Sequence, residues 1–112
     1  MSDAVAGFYS MVLTTARSDN TNAIVQALLS QKLAACVQVM PIRSHYVWQG
    51  VLREESEEML FIKSRAEDYP AIEAAIRAVH DYDTPEILRF DVAAGEPSYL
   101  DWIGEMTARR GG

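Results

Sequence analysis

The chain has 112 residues, a formal net charge of −6 at pH 7, and 49% hydrophobic residues. This length suits one domain with its own core, and the hydrophobic content excludes disorder over most of the chain. Acidic residues outnumber basic ones by 16 to 10, so the basic surface typical of proteins that bind nucleic acid or anionic membranes is missing. We therefore expect neither nucleic acid nor a membrane as a partner.

The first third of the chain predicts a strand, a helix and a second strand. Aromatic and β-branched residues favour a strand from Phe8 to Thr15. The N-cap residue types at 18–21 begin a helix that the apolar spacing carries to about Leu33. A second strand is predicted from Ala34 to Val39, with an interruption at Pro41.

Residues 42–62 predict a long β-hairpin. Alternation places Tyr46 and Trp48 on one face, and Gln49-Gly50 is a turn signal before the chain returns. The acidic residues of the returning limb, 54–58, are best interpreted as a solvated surface that discourages aggregation. The limbs are longer than a layer of two helices covers, so Tyr46 and Trp48 stay exposed unless a partner covers them. We expect the hairpin to complete itself against other subunits.

The rest of the chain predicts a helix, a strand and a last helix. Asp68 is positioned to cap a helix whose apolar stripe ends at Val79. A loop follows, then a strand from Glu86 to Ala93, and a final helix begins near Gly95. The apolar spacing in that final helix favours packing for Tyr99 and Trp102.

The order β-α-β-β-α-β-α is typical of the ferredoxin-like fold. We expect an α+β domain with a four-stranded antiparallel sheet, helices on one face and a long hairpin between the second and third strands. The domain is expected to span residues 8–107, with flexible tails at 1–7 and 108–112. The absence of a signal sequence and a single cysteine, Cys36, predict a cytoplasmic location. We interpret Cys36 as a buried structural residue of its strand.

Five short motifs occur in one order along the chain. The motifs are Leu33-Ala34-Ala35-Cys36-Val37, Ser44-x-Tyr46-x-Trp48-x-Gly50, Glu57 through Ile62-Lys63-Ser64, His80-x-Tyr82-x-x-Pro85-Glu86 and Tyr99-Leu100-x-Trp102. Together they resemble the CutA family of divalent-cation tolerance proteins over about residues 9–106. The resemblance implies a non-enzymatic homotrimer, similar in architecture to the PII signalling trimers, with a role in tolerance of copper and other divalent metals.

His80 is the best candidate metal ligand, because imidazole suits Cu²⁺ and other divalent cations. By resemblance, it also matches a family histidine that some members are thought to use for copper. The alternative is a structural role, in which His80 caps the carbonyls at the end of its helix. Asp81 and Asp83 could add oxygen ligands. The resemblance places a cysteine and a second histidine where this chain has Thr14 and Val79. We therefore predict weak binding of a divalent cation.

A second set of residues predicts a small-ligand site. The resemblance places several of them near clefts between subunits, which supports an alternative function as a PII-like signalling or scaffold trimer that binds a small ligand or a protein partner. Lys63 follows an apolar strand and needs either a carboxylate partner, for which Glu57 and Glu86 are candidates, or an anionic ligand. The candidate cleft residues are Trp48, Glu57, Lys63, Tyr82 and Glu86.

The sequence favours a binding protein over an enzyme. It contains no P-loop, GxGxxG, GxSxG or HExxH motif. The segment Ala16-Arg17-Ser18 after the first strand also lacks the glycines of a phosphate-binding loop. A small hydrolase is therefore the least favoured of three functions, after metal tolerance and ligand-dependent signalling.

Overall fold

The structure is a computed structural model that describes residues 7–109. It has the predicted ferredoxin-like α+β fold, with the sheet order β2-β3-β1-β4 and antiparallel pairing between all neighbours. Residues 1–6 and 110–112 of the predicted tails lie outside the described range. The elements are β1 (Tyr9–Ala16), α1 (Ser18–Ser30), β2 (Cys36–Trp48), β3 (Val51–Arg65), a 3₁₀ turn (Ala66–Asp68), α2 (Tyr69–Val79), β4 (Ile87–Asp91) and α3 (Pro97–Met106).

The two faces of the sheet are covered differently. Residues of alternate parity on β1 point to opposite faces, and Val12 belongs to the main core whereas Tyr9 belongs to a second cluster. The second cluster contains Leu100 and Ile103 of α3, so α3 covers part of the face opposite α1 and α2. We call this the open face. The main core is formed by Val12, Ala16, Ile24, Leu28, Leu33, Ala34, Leu60, Ile62, Ile72 and Ile76.

The second strand does not stop at Pro41. It continues from Cys36 to Trp48, with Pro41 paired opposite Glu58. Because β2 is an edge strand, the missing amide of a proline need not break the sheet. The predicted interruption is therefore wrong, and β2 forms one unbroken limb of the hairpin.

The first helix ends earlier than the apolar spacing predicts. Lys32 adopts a positive φ of 57°. The amides of Lys32 and Leu33 donate to the carbonyls of Leu29 and Leu28 at 3.1 and 3.0 Å. These two bonds form a Schellman motif, which ends α1 at Ser30 and directs Leu33 into the core.

The hairpin of β2 and β3 projects from the body of the domain. Its register runs from Cys36 opposite Lys63 to Trp48 opposite Val51. The two turn residues, Gln49 and Gly50, have φ values of 52° and 77°, which fits the type I′ turn preferred in two-residue hairpins. Only residues 58–65 of β3 pair with β1, so residues 51–57 extend beyond the sheet. The described chain measures 48 × 27 × 21 Å as a result.

Arg109 is anchored although it falls in the segment predicted as a tail. Its guanidinium donates to both carboxylate oxygens of Asp68, at 3.1 and 2.6 Å, and to the carbonyl of Lys32 at 2.9 Å. Asp68 occupies the N-cap position of α2, as predicted, but its side chain makes no capping bond to the helix. The carboxylate instead joins Arg109 to the start of α2.

Among residues 7–109, no helix combines the length and the apolar character that crossing a membrane requires.

Candidate functional site

A cleft of about 680 Å³ lies where the hairpin extends beyond β1. The projecting limbs form one wall, and the loop between α2 and β4 forms the other. This volume is in the usual range of small-molecule sites. The cleft is lined by Thr15, Arg17, Ser44, His45, Tyr46, Trp48, Arg53, Glu55, Glu57, Tyr82, Asp83, Thr84 and Glu86.

Strand register builds the hairpin wall. Residues directly opposite each other in an antiparallel pair share one face of the sheet. Ser44 pairs with Glu55, Tyr46 pairs with Arg53, and Glu57 follows on the same face two residues from Glu55. One face of the hairpin therefore presents aromatic, acidic and basic side chains to the cleft.

The Tyr82 hydroxyl and the Glu57 carboxylate meet in a buried part of the cleft. Tyr82 donates to Glu57 Oε2 over 2.6 Å, and only 9% of Glu57 is exposed. Burial raises the pKa of Tyr82 well above its usual range, and the hydrogen bond to Glu57 and its negative charge raise it further. The tyrosine is therefore a neutral hydrogen-bond donor at physiological pH.

His80 lies behind the cleft wall, with only 1% of its side chain exposed. Its Nε2 is 2.7 Å from the carbonyl oxygen of Thr15, and its Nδ1 accepts the Tyr82 amide at 3.2 Å. A carbonyl only accepts and an amide only donates, so this network assigns the neutral tautomer with the proton on Nε2. Both ring nitrogens are already hydrogen-bonded.

Asp81 is the acidic group nearest to His80. One of its oxygens accepts from Arg17 at 2.9 Å, and the other lies 3.8 Å from His80 Nδ1. Asp83 lines the cleft instead. Within residues 7–109, no three side chains of the His, Cys, Asp or Glu types are grouped as a metal centre needs. The residues near His80 thus fit a divalent cation only as a two-donor site.

Thr14 and Val79 stand near His80 in the fold. The Thr14 side chain is fully buried, and its Oγ1 has no hydrogen-bond partner in the described chain. Val79 packs against the main core. Neither residue adds a ligand to the pair formed by His80 and Asp81.

The structure brings together four of the five residues that the sequence predicts for the cleft. Trp48, Glu57, Tyr82 and Glu86 all line it. Lys63 lies six residues from Glu57 along β3, about 20 Å away at the usual rise of a strand.

Within the described chain, Lys63 pairs with neither Glu57 nor Glu86. The Lys63 Nζ donates instead to Gln38 Oε1 at 3.0 Å and to the Tyr99 hydroxyl at 3.5 Å, and a pairing between subunits stays a prediction. Cys36 lies opposite Lys63 in the register and is half-buried rather than buried.

Sequence reasoning missed Arg17, Ser44, Arg53 and Glu55 as cleft residues. A two-residue turn at Gln49-Gly50 fixes the register, so it could have placed the three hairpin residues on the wall. Arg17 follows β1 and reaches the cleft only through the tertiary fold. Its guanidinium lies 5.7 Å from the centre of the Tyr82 ring, a contact that no local pattern indicates.

The fold and this cleft define a ferredoxin-like domain with a ligand-sized site beside a projecting hairpin. The family model described as "CutA1 divalent ion tolerance protein" matches residues 10–106. The chain is a member of the CutA family of divalent-cation tolerance proteins.

Individual relatives agree with this assignment. The chain is 35% identical over 98 residues to the divalent-cation tolerance protein CutA of Thermus thermophilus, covering 87% of this chain and 95% of the relative. It is 38% identical over 104 residues to the CutA homolog of Xenopus laevis, covering 91% and 69% of the two chains. The structure of the periplasmic divalent cation tolerance protein CutA from Archaeoglobus fulgidus is similar, with a TM-score of 0.86, 33% identity, and coverage of 89% and 99%.

Proposed function

We propose that this chain acts in divalent-cation tolerance as a homotrimer that binds copper or another divalent cation weakly. The Thermus thermophilus relative is named a divalent-cation tolerance protein, which supports the tolerance role, and a binding protein rather than an enzyme suits that role. The 3.8 Å separation between His80 Nδ1 and Asp81 Oδ1 is the observation that carries the metal proposal. The cytoplasmic location stays a prediction.

The geometry of this pair supports weak rather than tight binding. One ion with bonds of about 2 Å to nitrogen and oxygen can bridge donors at this separation. Binding must displace the Tyr82 amide from Nδ1, and Arg17 already offsets the Asp81 charge through the other carboxylate oxygen. Two protein ligands leave the remaining coordination positions to water, so affinity stays low.

Isothermal titration of the purified chain with Cu²⁺ tests this proposal. We expect His80→Ala and Asp81→Asn each to weaken binding at least tenfold, whereas the matched control Asp91→Asn retains it. Asp91 is a suitable control because it pairs with Arg89 on β4, away from the cleft. Circular dichroism confirms that each variant is folded. Copper affinity equal to the wild type in both His80→Ala and Asp81→Asn contradicts the proposed site.

Exposed apolar residues support the homotrimer. Leu88 and Phe90 of β4 pair with Leu13 and Met11, so they lie on the open face, and each is 48% exposed. Met40 of β2 shares this face and is equally exposed. Large apolar side chains exposed on one face of a sheet are typical of an interface. Sedimentation equilibrium at micromolar concentration is expected to give three chains, and a monomer contradicts the proposal.

A second candidate function is a signalling or scaffold trimer that binds a small ligand. The convergence of Trp48, Glu57, Tyr82 and Glu86 on one cleft favours it. A thermal-shift panel separates the two candidates, because a ligand stabilises the fold that binds it. Stabilisation by Cu²⁺ alone supports metal tolerance, whereas stabilisation by an organic ligand supports the second candidate. The absence of any shift contradicts both.

A further inference from the structure

The cleft carries more negative than positive groups. Its lining has a net formal charge of minus two, from four carboxylates and two guanidiniums. Aromatic rings from Tyr46, Trp48 and Tyr82 share the same walls. A cavity that combines carboxylates with aromatic faces suits an organic cation, because both groups attract positive charge. The charged lining residues are Arg17, Arg53, Glu55, Glu57, Asp83 and Glu86.

The buried carboxylate of Glu57 is a second, independent indication that the ligand is positively charged. It is nine-tenths buried, and the only hydrogen bond to its carboxylate within residues 7–109 comes from the neutral Tyr82 hydroxyl to Oε2. None of the ion pairs formed by these residues includes Glu57. A buried carboxylate without a cation is costly, so a positive group in the cleft stabilises it.

A single metal ion does not fit this arrangement. The cleft volume of about 680 Å³ far exceeds an ion's needs, and the described residues hold no cluster of three metal-ligating side chains. Glu55 and Glu57 lie two residues apart on one strand face, a separation of about 7 Å. Acidic groups spaced in this way suit a ligand with two separated positive charges.

We propose that the cleft binds a linear aliphatic diamine in its doubly protonated form. One ammonium group occupies the buried end, where it donates to the unpartnered Glu57 Oε1 and to the Tyr82 oxygen, whose own proton already points to Glu57. The second ammonium lies beside Glu55, and the Trp48 ring contacts the methylene chain. Two positive charges balance the net charge of the lining. This inference rests on the second candidate function, in which the cleft binds a small ligand.

Calorimetric titration of the full chain in metal-free buffer with 1,4-diaminobutane tests the proposal. Its four-carbon chain separates two ammonium groups by about the spacing of alternate residues on a strand. The matched uncharged probe is 1,4-butanediol, which has the same length and no charge. We expect the diamine to bind and the diol to bind at least tenfold more weakly.

The matched variants are Glu57→Gln and Glu54→Gln. Glu57→Gln keeps an acceptor for Tyr82 but removes the buried charge, and we expect it to weaken diamine binding at least tenfold. Glu54→Gln removes a charge from the opposite face of the same strand, where Glu54 pairs with Arg43, and we expect less than a twofold change. Tyr82→Phe tests the buried end of the cleft independently, and we expect it to weaken diamine binding threefold or more.

Three outcomes overturn the inference: no diamine binding, equal binding of diol and diamine, or unchanged affinity in both Glu57→Gln and Tyr82→Phe. A failure of this inference can be distinguished from a failure of the second candidate function. Should the diamine fail while a nucleotide stabilises the trimer in a Trp48-dependent way, the cleft still binds a ligand and only the diamine assignment is wrong.

Discussion

Tyr82 is held by contacts from three separate parts of the chain. Its hydroxyl donates to Glu57 on β3, its amide donates to His80, and its ring lies beside the guanidinium of Arg17. These contacts fix the loop wall of the cleft against the hairpin wall. A single residue therefore connects the candidate metal pair to the candidate ligand site.

The raised pKa of Tyr82 predicts a late ionisation. Because the folded-state pKa lies above the unfolded value of about 10, the stability contributed by the neutral hydroxyl is complete below that pH. It is lost as the pH rises through the folded-state pKa. In a spectrophotometric titration of tyrosinate absorbance, we expect a component well above pH ~10 that disappears in Tyr82→Phe.

Glu57→Gln tests whether the charge of Glu57 contributes to the raised pKa of Tyr82. The neutral amide keeps a hydrogen-bond partner for Tyr82 but removes the negative charge, which is one of the causes that raise this pKa. We expect the late component to move toward lower pH in Glu57→Gln. An unchanged titration in both variants contradicts the assignment to Tyr82.

The sequence predicts the chemical role of a residue more readily than it predicts which other residues that residue contacts. The sequence indicates His80 as a ligand or as a structural residue at a helix end, and only the fold shows both of its nitrogens bonded. Within the chain, Lys63 bonds to Gln38 on β2 and to Tyr99 on α3, neither of which the sequence predicted as a partner. Contacts between residues 25 and 36 positions apart leave no local signal.

The turn at Gln49-Gly50 is the element-scale feature that fixes the cleft wall. Both residues have positive φ, a conformation that glycine adopts freely and asparagine tolerates better than glutamine. Gln49 is thus the less suitable of the two turn residues. The hairpin forms in spite of it because thirteen residue pairs follow in register.

We expect Gln49→Asn to stabilise the fold by about 0.5 kcal/mol, because asparagine is among the residues enriched at positive φ. Gln49→Val is expected to have the opposite sign, because a β-branched residue is strained there. Urea unfolding curves at equal protein concentration measure both changes. A destabilised Gln49→Asn variant contradicts the turn geometry.

Arg109 ties the end of the described chain to two other elements. Its pair with Asp68 links it to the start of α2, and its bond to the Lys32 carbonyl links it to the turn after α1. Hydrogen bonding to Asp68 raises the pKa of Arg109, so the guanidinium stays charged. Asp68 is nearly buried, with 8% of its side chain exposed.

Arg109→Ala is expected to lower the free energy of unfolding by about 1–2 kcal/mol, because it leaves the Asp68 carboxylate without its charged partner. The figure is moderate because solvent still reaches a third of the Arg109 side chain. The control Arg77→Ala changes an exposed arginine on α2 and should stay within about 0.5 kcal/mol of the wild type. Equal stability of the two variants contradicts the role of Arg109.

The periodicity of the sequence predicts whether a segment is a helix or a strand, but it does not predict where that segment ends. Apolar spacing places both long helices, but α1 ends in a Schellman motif with lysine in the position where glycine is the usual signal. The proline at position 41 predicts a break in β2, yet Pro41 is tolerated because β2 lies at the edge of the sheet. Ends and breaks depend on backbone conformation and on neighbouring strands, which a one-dimensional pattern does not contain.

At the scale of the whole molecule, the domain leaves part of the open face uncovered. The third helix covers only the end near Tyr9. Leu88 and Phe90 remain half exposed, as does Met40 on the edge strand β2. The sequence predicted that other subunits cover the hairpin, but it gave no indication that α3 would leave this face open.

Phe90→Glu is expected to dissociate the proposed trimer, because it places a charge in the proposed apolar interface. Sedimentation equilibrium should show at least a tenfold weaker association than the wild type. Leu29→Glu is the control, since Leu29 is a similarly exposed apolar residue on α1, on the other face of the sheet. A Phe90→Glu variant that associates as tightly as Leu29→Glu contradicts the interface.

The two-residue turn also limits how the length of this protein can change over evolutionary time. Adding one residue to a single limb between Pro41 and the turn shifts the register and moves Ser44 or Glu55 to the other face. An addition of two residues to one limb, absorbed as a bulge, or of one to each limb close to the turn leaves those residues in the cleft. Tolerated insertions in the projecting hairpin are therefore expected to come in pairs.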